Sequence, residues 1–307
     1  MIKLFRKAKQ IYTRSKCWAK ILFFICIILF ALSLVDKKRM EGFSQKEKFL
    51  LKKGGNVYDN FYYNIYDKLL KNGVKNDYEI KEMLRITKTK GNALDIGSGT
   101  GHHVHLLNKK GIKTIGMDAS PSAIAKAKEN YPDLTFIEGK AEDGMIHQSE
   151  SFNLITCLYF TLYYIKDKHL FFNNCFRWLA PGGHLVIHLV NRDKFDPILP
   201  AADPLYMVSP QKYAKKRITN SLVKFQNFQY KANFSIKNEK NIATFTETFK
   251  DDGTGNVRQN EHTLYVPIQK EILSLAKSAG FKVLGKIDMV GCQYEYQYLY
   301  VLEKPLR

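Results

Sequence analysis

The chain has 307 residues, of which 45% are hydrophobic and 25% charged, a composition typical of a folded globular protein and not of a disordered one. Its net charge is +19, yet residues 1–55 alone hold 14 Lys and Arg against 3 Asp and Glu. More than half of the excess charge therefore lies in less than a fifth of the chain. Such a basic tail favours a membrane surface over a nucleic acid as its partner.

An apolar run follows the basic tail of residues 1–17. Residues 18–35 read WAKILFFICIILFALSLV, and as a helix they would span about 27 Å, which is enough for a bilayer core. Trp18 and the basic clusters on both sides suit the two membrane interfaces. We therefore expect a transmembrane helix over 18–35. The alternatives are a signal peptide cleaved within this run and a buried core helix.

The orientation of this segment is not decided by charge, because residues 1–20 and residues 36–55 each carry seven Lys and Arg. The cysteines beyond it, Cys157, Cys175 and Cys292, are odd in number, widely spaced and in apolar surroundings. That pattern is typical of reduced core thiols and not of disulfides or zinc ligands. We expect a single-pass membrane protein whose domain faces the cytosol.

Residues 36–55 are charged and end in Gly-Gly, which is typical of a linker, and a domain over 56–307 follows. The domain opens with an amphipathic helix that carries a tyrosine stripe of Tyr58, Tyr62, Tyr63 and Tyr66. This stripe either contacts a ligand or packs on a sheet. A second helix is predicted over about 76–88.

From residue 93 onward, strands alternate with helices, which predicts a parallel, doubly wound sheet. Ser120 followed by Pro121 marks the start of one of these helices. The predicted strands are 93–96, 113–118, 134–138, one within 152–160, and 184–190.

The rhythm breaks over residues 192–266. Apolar residues alternate strictly over 228–236 and more weakly over 243–249, and a third strand is predicted around 257–265. We expect these antiparallel strands to form a lid. A helix over 269–279 and a final strand pair complete the chain.

The first strand of the alternating region leads into a glycine-rich turn, DIGSGTG, from Asp95 to Gly101. A dinucleotide fingerprint needs its third glycine where His102 stands. The carboxylate of Asp95 would repel a pyrophosphate, but it suits a ligand that bears an ammonium and a sulfonium group. S-adenosylmethionine is such a ligand.

This turn resembles the first motif of the class I S-adenosylmethionine-dependent methyltransferases. Four further segments resemble motifs of that family in the same order: Asp118 at the end of the second strand, residues 139–143, residues 151–155 and residues 179–185. The resemblance covers 91–191 by motif and 267–304 by topology. It implies an α/β fold with a Rossmann-like doubly wound seven-stranded sheet, an antiparallel last strand and the antiparallel β insertion after strand 5.

The resemblance also implies S-adenosyl-L-methionine as the cofactor, with Asp118 in the position of the acidic residue that binds the ribose hydroxyls. Two positions depart from the family pattern. Lys140 stands where an aspartate often receives the adenine amino group, so Glu142 or backbone groups must do that work, and Asn153 replaces a structural aspartate. The cofactor-binding residues implied are Asp95, Gly97, Gly99, Gly101, Asp118, Ala141, Glu142, Leu158 and Tyr62.

Methyl transfer from a sulfonium requires alignment and exclusion of water, and it does not require a catalytic base. Tyr159 and Tyr163 follow the fourth strand, where they either line the transfer site or pack in the core. His262 is the third catalytic candidate, because it shares one face of a strand with Arg258 and Asn260. That face either enters the cleft, to bind a carboxylate or serve as a base, or forms a polar outer surface.

His102 and His103, after the glycine loop, are expected to be solvated, as is usual in the first turn of a helix, and the alternative is that one of them faces the substrate. No C-x-x-C spacing occurs, and no metal site is predicted. The sequence thus favours a membrane-tethered methyltransferase that acts by in-line displacement on a small-molecule or lipid-associated acceptor. One alternative is an RNA or protein methyltransferase, suggested by the basic run 212–217, although nucleic acid is not the expected partner. The other is a non-catalytic membrane adaptor.

Overall fold

The computed structural model describes residues 47–70, 72–197, 214–225 and 227–306, together with positions 16, 18, 20–22, 24–25 and 45. The chain divides into two units, Met1–Glu41 and Gly42–Arg307. In the first unit the described positions between 18 and 25 are helical and largely exposed. Among the described residues, no helix is long and apolar enough to cross a membrane. Most of the predicted membrane segment, 18–35, lies outside the described residues.

The second unit combines two sheets with helices. Its strands are β1 Phe49–Lys53, β2 Asn92–Ile96, β3 Lys113–Asp118, β4 Thr135–Glu138, β5 Phe152–Cys157, β6 Leu179–Val190, β7 Asn220–Lys224, β8 Phe228–Lys237, β9 Ile242–Asp251, β10 Val257–Tyr265, β11 Lys282–Asp288 and β12 Gln297–Glu303. Its α-helices are α1 Asn60–Leu70, α2 Gly73–Thr87, α3 His102–Lys109, α4 Pro121–Asn130, α5 Thr161–Tyr164, α6 Lys168–Trp178 and α7 Gln269–Ser278.

The larger sheet has seven strands in the order β4-β3-β2-β5-β6-β12-β11. Strands β2 to β6 pair in parallel, whereas β12 is antiparallel to both of its neighbours. The predicted seven-stranded Rossmann-like sheet with an antiparallel last strand is therefore confirmed.

The central strands are buried on both faces because helices cover both sides of the sheet. In β2, Leu94 joins one apolar cluster and its neighbour Ala93 joins the other, since successive strand residues point to opposite faces. The same alternation in β5 sends Ile155 and Leu154 to the two clusters. Cys157, Cys175 and Cys292 are buried and free, in agreement with their assignment to the core.

The smaller sheet, called the lid sheet here, has the order β1-β10-β9-β8-β7. The antiparallel strands predicted within the insertion are confirmed as β8, β9 and β10. β7 is an additional strand that the sequence pattern did not predict.

The linker assigned to residues 36–55 needs a correction, because Phe49–Lys53 form strand β1. This strand pairs in parallel with β10, and Leu50 lies opposite Arg258. The partner strand lies some 200 positions away in the chain, so it leaves no local signal in the five residues of β1. The charged residues of this segment by themselves therefore indicate only a linker. The N-terminal end of the described domain is therefore part of the lid sheet.

Candidate active site

A cavity of about 490 Å³ lies between the carboxyl ends of β2 to β5 and the lid sheet. Ligands of open α/β sheets bind at this edge of the sheet. The strand ends contribute the glycine loop and Asp118, helix α1 contributes its tyrosines, and the lid sheet contributes Phe234, Phe245 and Glu247. The loop after β5 closes one side with Leu158 and Tyr159.

The glycine loop turns sharply at the end of β2. The N–H groups of Gly97 and Ser98 both donate to the carbonyl of Met117, which ties the loop to β3. Gly97 has φ +72°, and a Cβ there would overlap the side chain of Thr161. Glycine is thus required at this position both by the backbone conformation and by the space available.

The three predicted loop glycines do not occupy equivalent places. Gly97 and Gly99 line the cavity. Gly101 lies outside the lining, and a Cβ on it would come within 2.7 Å of Phe136. Its role is to let the start of α3 pack closely on β4.

Two carboxylates face the cavity from the ends of β2 and β3. Burial raises the pKa of Asp118, while N–H groups of Ser120 and Gly99 donate to its oxygens at 2.9 and 3.0 Å and oppose that shift. Burial also raises the pKa of Asp95, against the opposing charge of His103. Thr156 donates its hydroxyl to Asp95 at 2.6 Å.

A buried ionic cluster on α2 and α3 borders the same end of the cavity. Glu79 Oε2 lies 3.0 Å from Lys75 Nζ and 2.8 Å from His103 Nε2. Burial by itself would raise the pKa of Glu79, but Lys75 and His103 outweigh it and lower the value to about 2. Lys75 and His103 line the cavity, so the cluster presents an amino group and an imidazole to it.

The two histidines after the loop are not solvated as expected. His103 is held by Glu79, and His102 contacts the Tyr131 hydroxyl at 2.6 Å and Asp67 at 3.0 Å. That expectation assumes that the first turn of α3 faces water. Here α1 and α2 pack over that turn and bring Asp67 and Glu79 to it.

The remaining predicted cofactor residues all lie at the cavity. Ala141 and Glu142 line it beside Lys140, Leu158 lines it after β5, and Tyr62 lines it from α1. The carbonyl of Ala141 accepts a hydrogen bond from Asn174 at 2.9 Å, which positions the segment after β4.

Six tyrosines line the cavity: Tyr58, Tyr62, Tyr63, Tyr66, Tyr159 and Tyr164. Burial is the main cause that raises the pKa of each of their hydroxyls. These hydroxyls therefore stay protonated at neutral pH and serve as neutral hydrogen-bonding groups.

His262 lies directly behind this tyrosine wall, on β10. Its Nδ1 contacts the hydroxyl of Tyr164 at 3.1 Å and that of Tyr58 at 3.3 Å. On the other side its Nε2 lies 2.8 Å from Glu247 Oε2. Glu247 in turn accepts a hydrogen bond from Tyr230 at 2.8 Å. The face of β10 that carries Arg258, Asn260 and His262 is thus buried and points towards the cavity. It is not a polar outer surface.

Tyr159 and Tyr163, the two catalytic candidates after β5, lie in different surroundings. Tyr159 lines the cavity with φ +51°, a conformation that few non-glycine residues adopt. Tyr163 is fully buried, and its hydroxyl accepts the N–H of Val190 at 2.8 Å. Of the two alternatives for Tyr163, the structure therefore has core packing, because successive helix residues point about 100° apart and Tyr164 is the one that faces the cavity.

Arg258 is fully engaged in the structure and is not available to a substrate carboxylate. Its guanidinium donates to Asp59 at 2.9 Å, to the Val57 carbonyl at 3.1 Å and to Asn260 at 2.9 Å. It also stacks on the ring of Phe61 at 4.4 Å.

Arg217, the last residue of the basic run 212–217, is likewise used internally, since it donates to the carbonyls of Phe195 and Arg192. The start of that run lies outside the described residues. In the described part of the chain, no group of three or more potential metal ligands lies together.

Three residues of this site, Glu247, Tyr164 and Lys75, are not among those that the sequence pattern indicates. Glu247 lies in a strand with alternating apolar residues, and that pattern predicts only on which face of the strand its side chain lies. Lys75 lies just before the predicted second helix, which in fact begins at Gly73 with Asn72 as its cap. The remaining signal was that Lys75 and Glu79 are four residues apart, a spacing that favours a helical ion pair.

Comparison with known proteins places this geometry in a family. A family model described as "Methyltransferase domain" matches residues 87–279, which is more than half of the chain. A ubiquinone biosynthesis O-methyltransferase from Proteus mirabilis is 24% identical over 105 residues, 33% of this chain and 42% of that protein. A demethylmenaquinone methyltransferase from Chlorobaculum tepidum is 29% identical over 127 residues, 39% of this chain and 52% of that protein. The chain thus matches about half or less of the length of these relatives.

Solved structures resemble the fold over a larger share. An S-adenosylmethionine-dependent methyltransferase from Clostridium acetobutylicum has a TM-score of 0.62 at 17% identity and covers 80% of this chain and 98% of its own. CalS10, an amino pentose methyltransferase from Micromonospora echinaspora solved with S-adenosylmethionine bound, has a TM-score of 0.57 at 17% identity and covers 81% and 98%. At this identity the likeness concerns the fold.

Proposed function

The chain belongs to the methyltransferase domain family, with S-adenosyl-L-methionine as its cofactor, and we propose that it methylates a small-molecule acceptor held beneath the lid sheet. The observation that carries this proposal is the division of one cavity into two chemically different halves. The glycine loop, Asp95 and Asp118 form a polar half at the strand ends. Aromatic side chains from α1, α5 and the lid sheet form the other half.

The polar half fits the cofactor. Ser98, whose loop lines the cavity, has a buried Oγ with no hydrogen-bond partner among the described residues, as is expected of a site that a bound molecule completes. A side chain at Gly97 would fill the space against Thr161. The charges also match, because the carboxylates of Asp95 and Asp118 lie in the buried wall of the cavity and attract a cationic cofactor.

We assign residues to the groups of the cofactor by their chemistry. Asp118 accepts the ribose hydroxyls, and Asp95 offsets the positive charge of the ammonium. Lys75, at the same end of the cavity as Asp95, suits the carboxylate. Ala141, Glu142 and Leu158 border the adenine, where Lys140 replaces the usual aspartate. When bound, the cofactor supplies a methyl group activated by its attachment to a sulfonium.

Isothermal titration calorimetry with S-adenosylmethionine tests the cofactor half. We expect Asp118→Ala to lower affinity by about 100-fold, because two charge-assisted hydrogen bonds are lost. Asp143→Ala is the matched control, since its carboxylate caps the N–H of Met145 and does not line the cavity. Unchanged affinity in Asp118→Ala would refute the ribose assignment.

The acceptor half supports a small, largely apolar acceptor. Phe160, Phe195, Phe234, Phe245 and Leu264 line it, and a cavity of this size suits a small molecule better than a folded protein or an RNA helix. The curated relatives above act in quinone biosynthesis, which supports a small apolar substrate. A tritiated-methyl transfer screen across lipid, metabolite, RNA and protein fractions tests the acceptor class. Label appearing mainly in RNA or protein would favour that alternative.

We also propose that residues 18–35 tether the enzyme to a membrane as a single span, with the domain on the cytosolic side. The apolar run, its basic flanks and the reduced cysteines of the domain support this. Fractionation of the full chain and of a chain lacking residues 1–41 tests it. The full chain should sediment with membranes and the shortened chain should not. A shortened chain that stays membrane-bound would contradict the tether.

A non-catalytic adaptor remains the alternative from another class of function. It predicts that the domain does not bind S-adenosylmethionine. The calorimetric measurement on the unmodified chain therefore separates an enzyme from an adaptor before any acceptor is known.

A further inference from the structure

The acceptor half of the cavity has an unusual charge for an apolar compartment. Among the described residues, the charged side chain that lines it is Glu247, and this carboxylate is 1% exposed. The lysines that border the cavity, Lys75 and Lys140, belong to the cofactor half. Arg258, the cation nearest in sequence to His262, is paired with Asp59. Glu247 is therefore the acidic side chain that this compartment presents to a ligand.

Aromatic rings surround the imidazole of His262, which contacts this carboxylate. The ring centroids of Tyr58, Tyr62, Tyr164 and Phe245 lie between 5.5 and 6.0 Å from that of His262. Aromatic faces around a carboxylate attract an organic cation, because the ring quadrupole and the negative charge act in the same direction. The compartment therefore suits a ligand with an apolar body and a cationic head.

The groups behind the rings are ordered for proton transfer. The carboxylate of Glu247 contacts Nε2 of His262, and the hydroxyl of Tyr164 contacts Nδ1 of the same imidazole. A carboxylate on Nε2 holds the proton there and leaves Nδ1 as an acceptor. Tyr164 is 36% exposed and lines the cavity, so its hydroxyl joins His262 to the compartment.

We propose that the acceptor is a small-molecule amine that binds as an ammonium ion in the aromatic compartment and gives up its proton to His262 through Tyr164. This inference rests on the proposed function and names the acceptor class of the same cavity. The charge favours the ammonium form in binding, and the relay then frees the lone pair that methyl transfer needs. Neither Glu247 nor Tyr164 was among the residues that the sequence indicated.

The step balances as follows. The ammonium N–H bond breaks, its proton goes to the oxygen of Tyr164, and the Tyr164 proton goes to Nδ1 of His262. Glu247 offsets the imidazolium charge, and Tyr58, the second hydroxyl on Nδ1, stabilises the same proton. The nitrogen–carbon bond then forms as the carbon–sulfur bond breaks, with the electron pair passing to sulfur. Burial raises the pKa of Tyr164, so its hydroxyl passes a proton on and does not rest as an anion.

Binding of three probes to the full chain tests the acceptor class: benzylamine, benzyl alcohol and 4-methylphenol, each titrated with S-adenosylhomocysteine present. Benzylamine should bind about tenfold more tightly than benzyl alcohol, and Glu247→Gln should abolish that preference. Equal binding of amine and alcohol would overturn the proposal, as would tighter binding of 4-methylphenol than of benzylamine. Benzylamine and benzyl alcohol differ only in their polar heads, so the apolar contribution to binding cancels between these two probes.

Turnover of benzylamine as a function of pH tests the relay. His262→Gln and Tyr164→Phe should each lower kcat at pH 7 by about 100-fold, with recovery as the pH rises and the amine loses its proton in solution. His147→Gln and Tyr300→Phe are matched controls, since both side chains are away from the cavity and both should stay within about twofold of the wild type. A pH-independent loss in the two relay variants would show a structural role and overturn the relay.

The proposed function can fail separately from this inference. If the unmodified chain does not bind S-adenosylmethionine, the enzyme assignment itself fails. If it binds the cofactor and methylates a phenol in preference to the amine, the enzyme assignment stands and the amine assignment falls.

Discussion

Arg258 and Asp59 form an ion pair, with 2.9 Å between Nη1 and Oδ2, that joins the lid sheet to the segment just before α1. Arg258 is 3% exposed, and its guanidinium also donates to the carbonyl of Val57. The neighbouring Tyr58 reaches His262 on the same strand as Arg258. The arginine thus fixes the chain that carries the first cavity tyrosine.

Replacing Arg258 by Met should destabilise the domain by about 3 kcal/mol, because the Val57 carbonyl and the Asn260 amide oxygen lose their partner in a buried place. Urea unfolding measures this. Lys53→Met is the control, since its ion pair with Glu261 in the same sheet is exposed and should contribute less than about 1 kcal/mol. Equal effects of the two variants would contradict the buried role of Arg258.

Gly97 and Gly111 allow conformational strain and steric overlap to be separated. Both have positive φ, +72° and +79°, but a Cβ at Gly97 overlaps Thr161 whereas nothing lies within 4 Å at Gly111. Gly111→Ala should cost about 1 kcal/mol from backbone strain alone. Gly97→Ala should cost more than twice as much and abolish cofactor binding. Thermal melting and calorimetry measure both effects, and similar melting temperatures for the two variants would exclude the overlap.

The Lys75–Glu79–His103 cluster predicts an acid-sensitive part of the stability. The pKa of Glu79 falls from 4.5 to about 2 on folding. The stabilisation it provides is therefore fully present above about pH 4.5 and is lost as the pH falls through about 2. Burial raises the pKa values of Asp95 and Asp118, and their contributions have the opposite sign.

Lys75→Met should therefore destabilise the domain by about 3–5 kcal/mol at pH 7, since it removes the partner of a buried carboxylate. The difference from the wild type should shrink as the pH falls and Glu79 takes up a proton. Guanidinium unfolding at pH 7, 4 and 3 measures this. Lys126→Met is the control, because Glu129 is exposed and the loss should be below about 1 kcal/mol. A pH-independent difference would contradict the assignment.

Strand β1 predicts where the N-terminal region can be cut. Deleting residues 1–41 removes only the first unit and should leave the melting temperature of the domain unchanged within about 2 °C. Deleting residues 1–56 removes β1 and exposes the edge of β10, so we expect a loss of more than about 5 °C and a tendency to aggregate. Differential scanning calorimetry measures both, and equal melting of the two chains would contradict a structural role of β1.

Local patterns were sufficient for the central sheet. The alternation of strands and helices from residue 93 predicted the parallel strands, and Ser120 caps α4 as its sequence indicates, accepting from the N–H of Ala123 at 3.2 Å. Local sequence patterns predict this sheet because the residues of each βαβ unit contact one another within a few dozen positions of the chain. The cofactor half follows for the same reason, since Asp95, Gly97 and Asp118 sit at the ends of adjacent strands.

The acceptor half was not predictable in this way. Its residues come from α1, α5 and three lid strands, and their contacts bridge separations such as the 204 positions between Tyr58 and His262. Whether Tyr163 or Tyr164 faces the cavity depends on the rotation of a four-residue helix, which its packing sets. The same holds for β1, whose partner strand is far away in the chain.

The sequence alone determined that this chain folds as a doubly wound α/β sheet and carries a glycine loop for a cationic adenosyl cofactor, because periodicity and motif spacing are local properties. Only the tertiary structure decided which side chains surround the acceptor. Glu247, His262 and Tyr164 acquire a common chemistry through burial and through contacts between distant strands, and neither quantity is encoded at any single position of the chain.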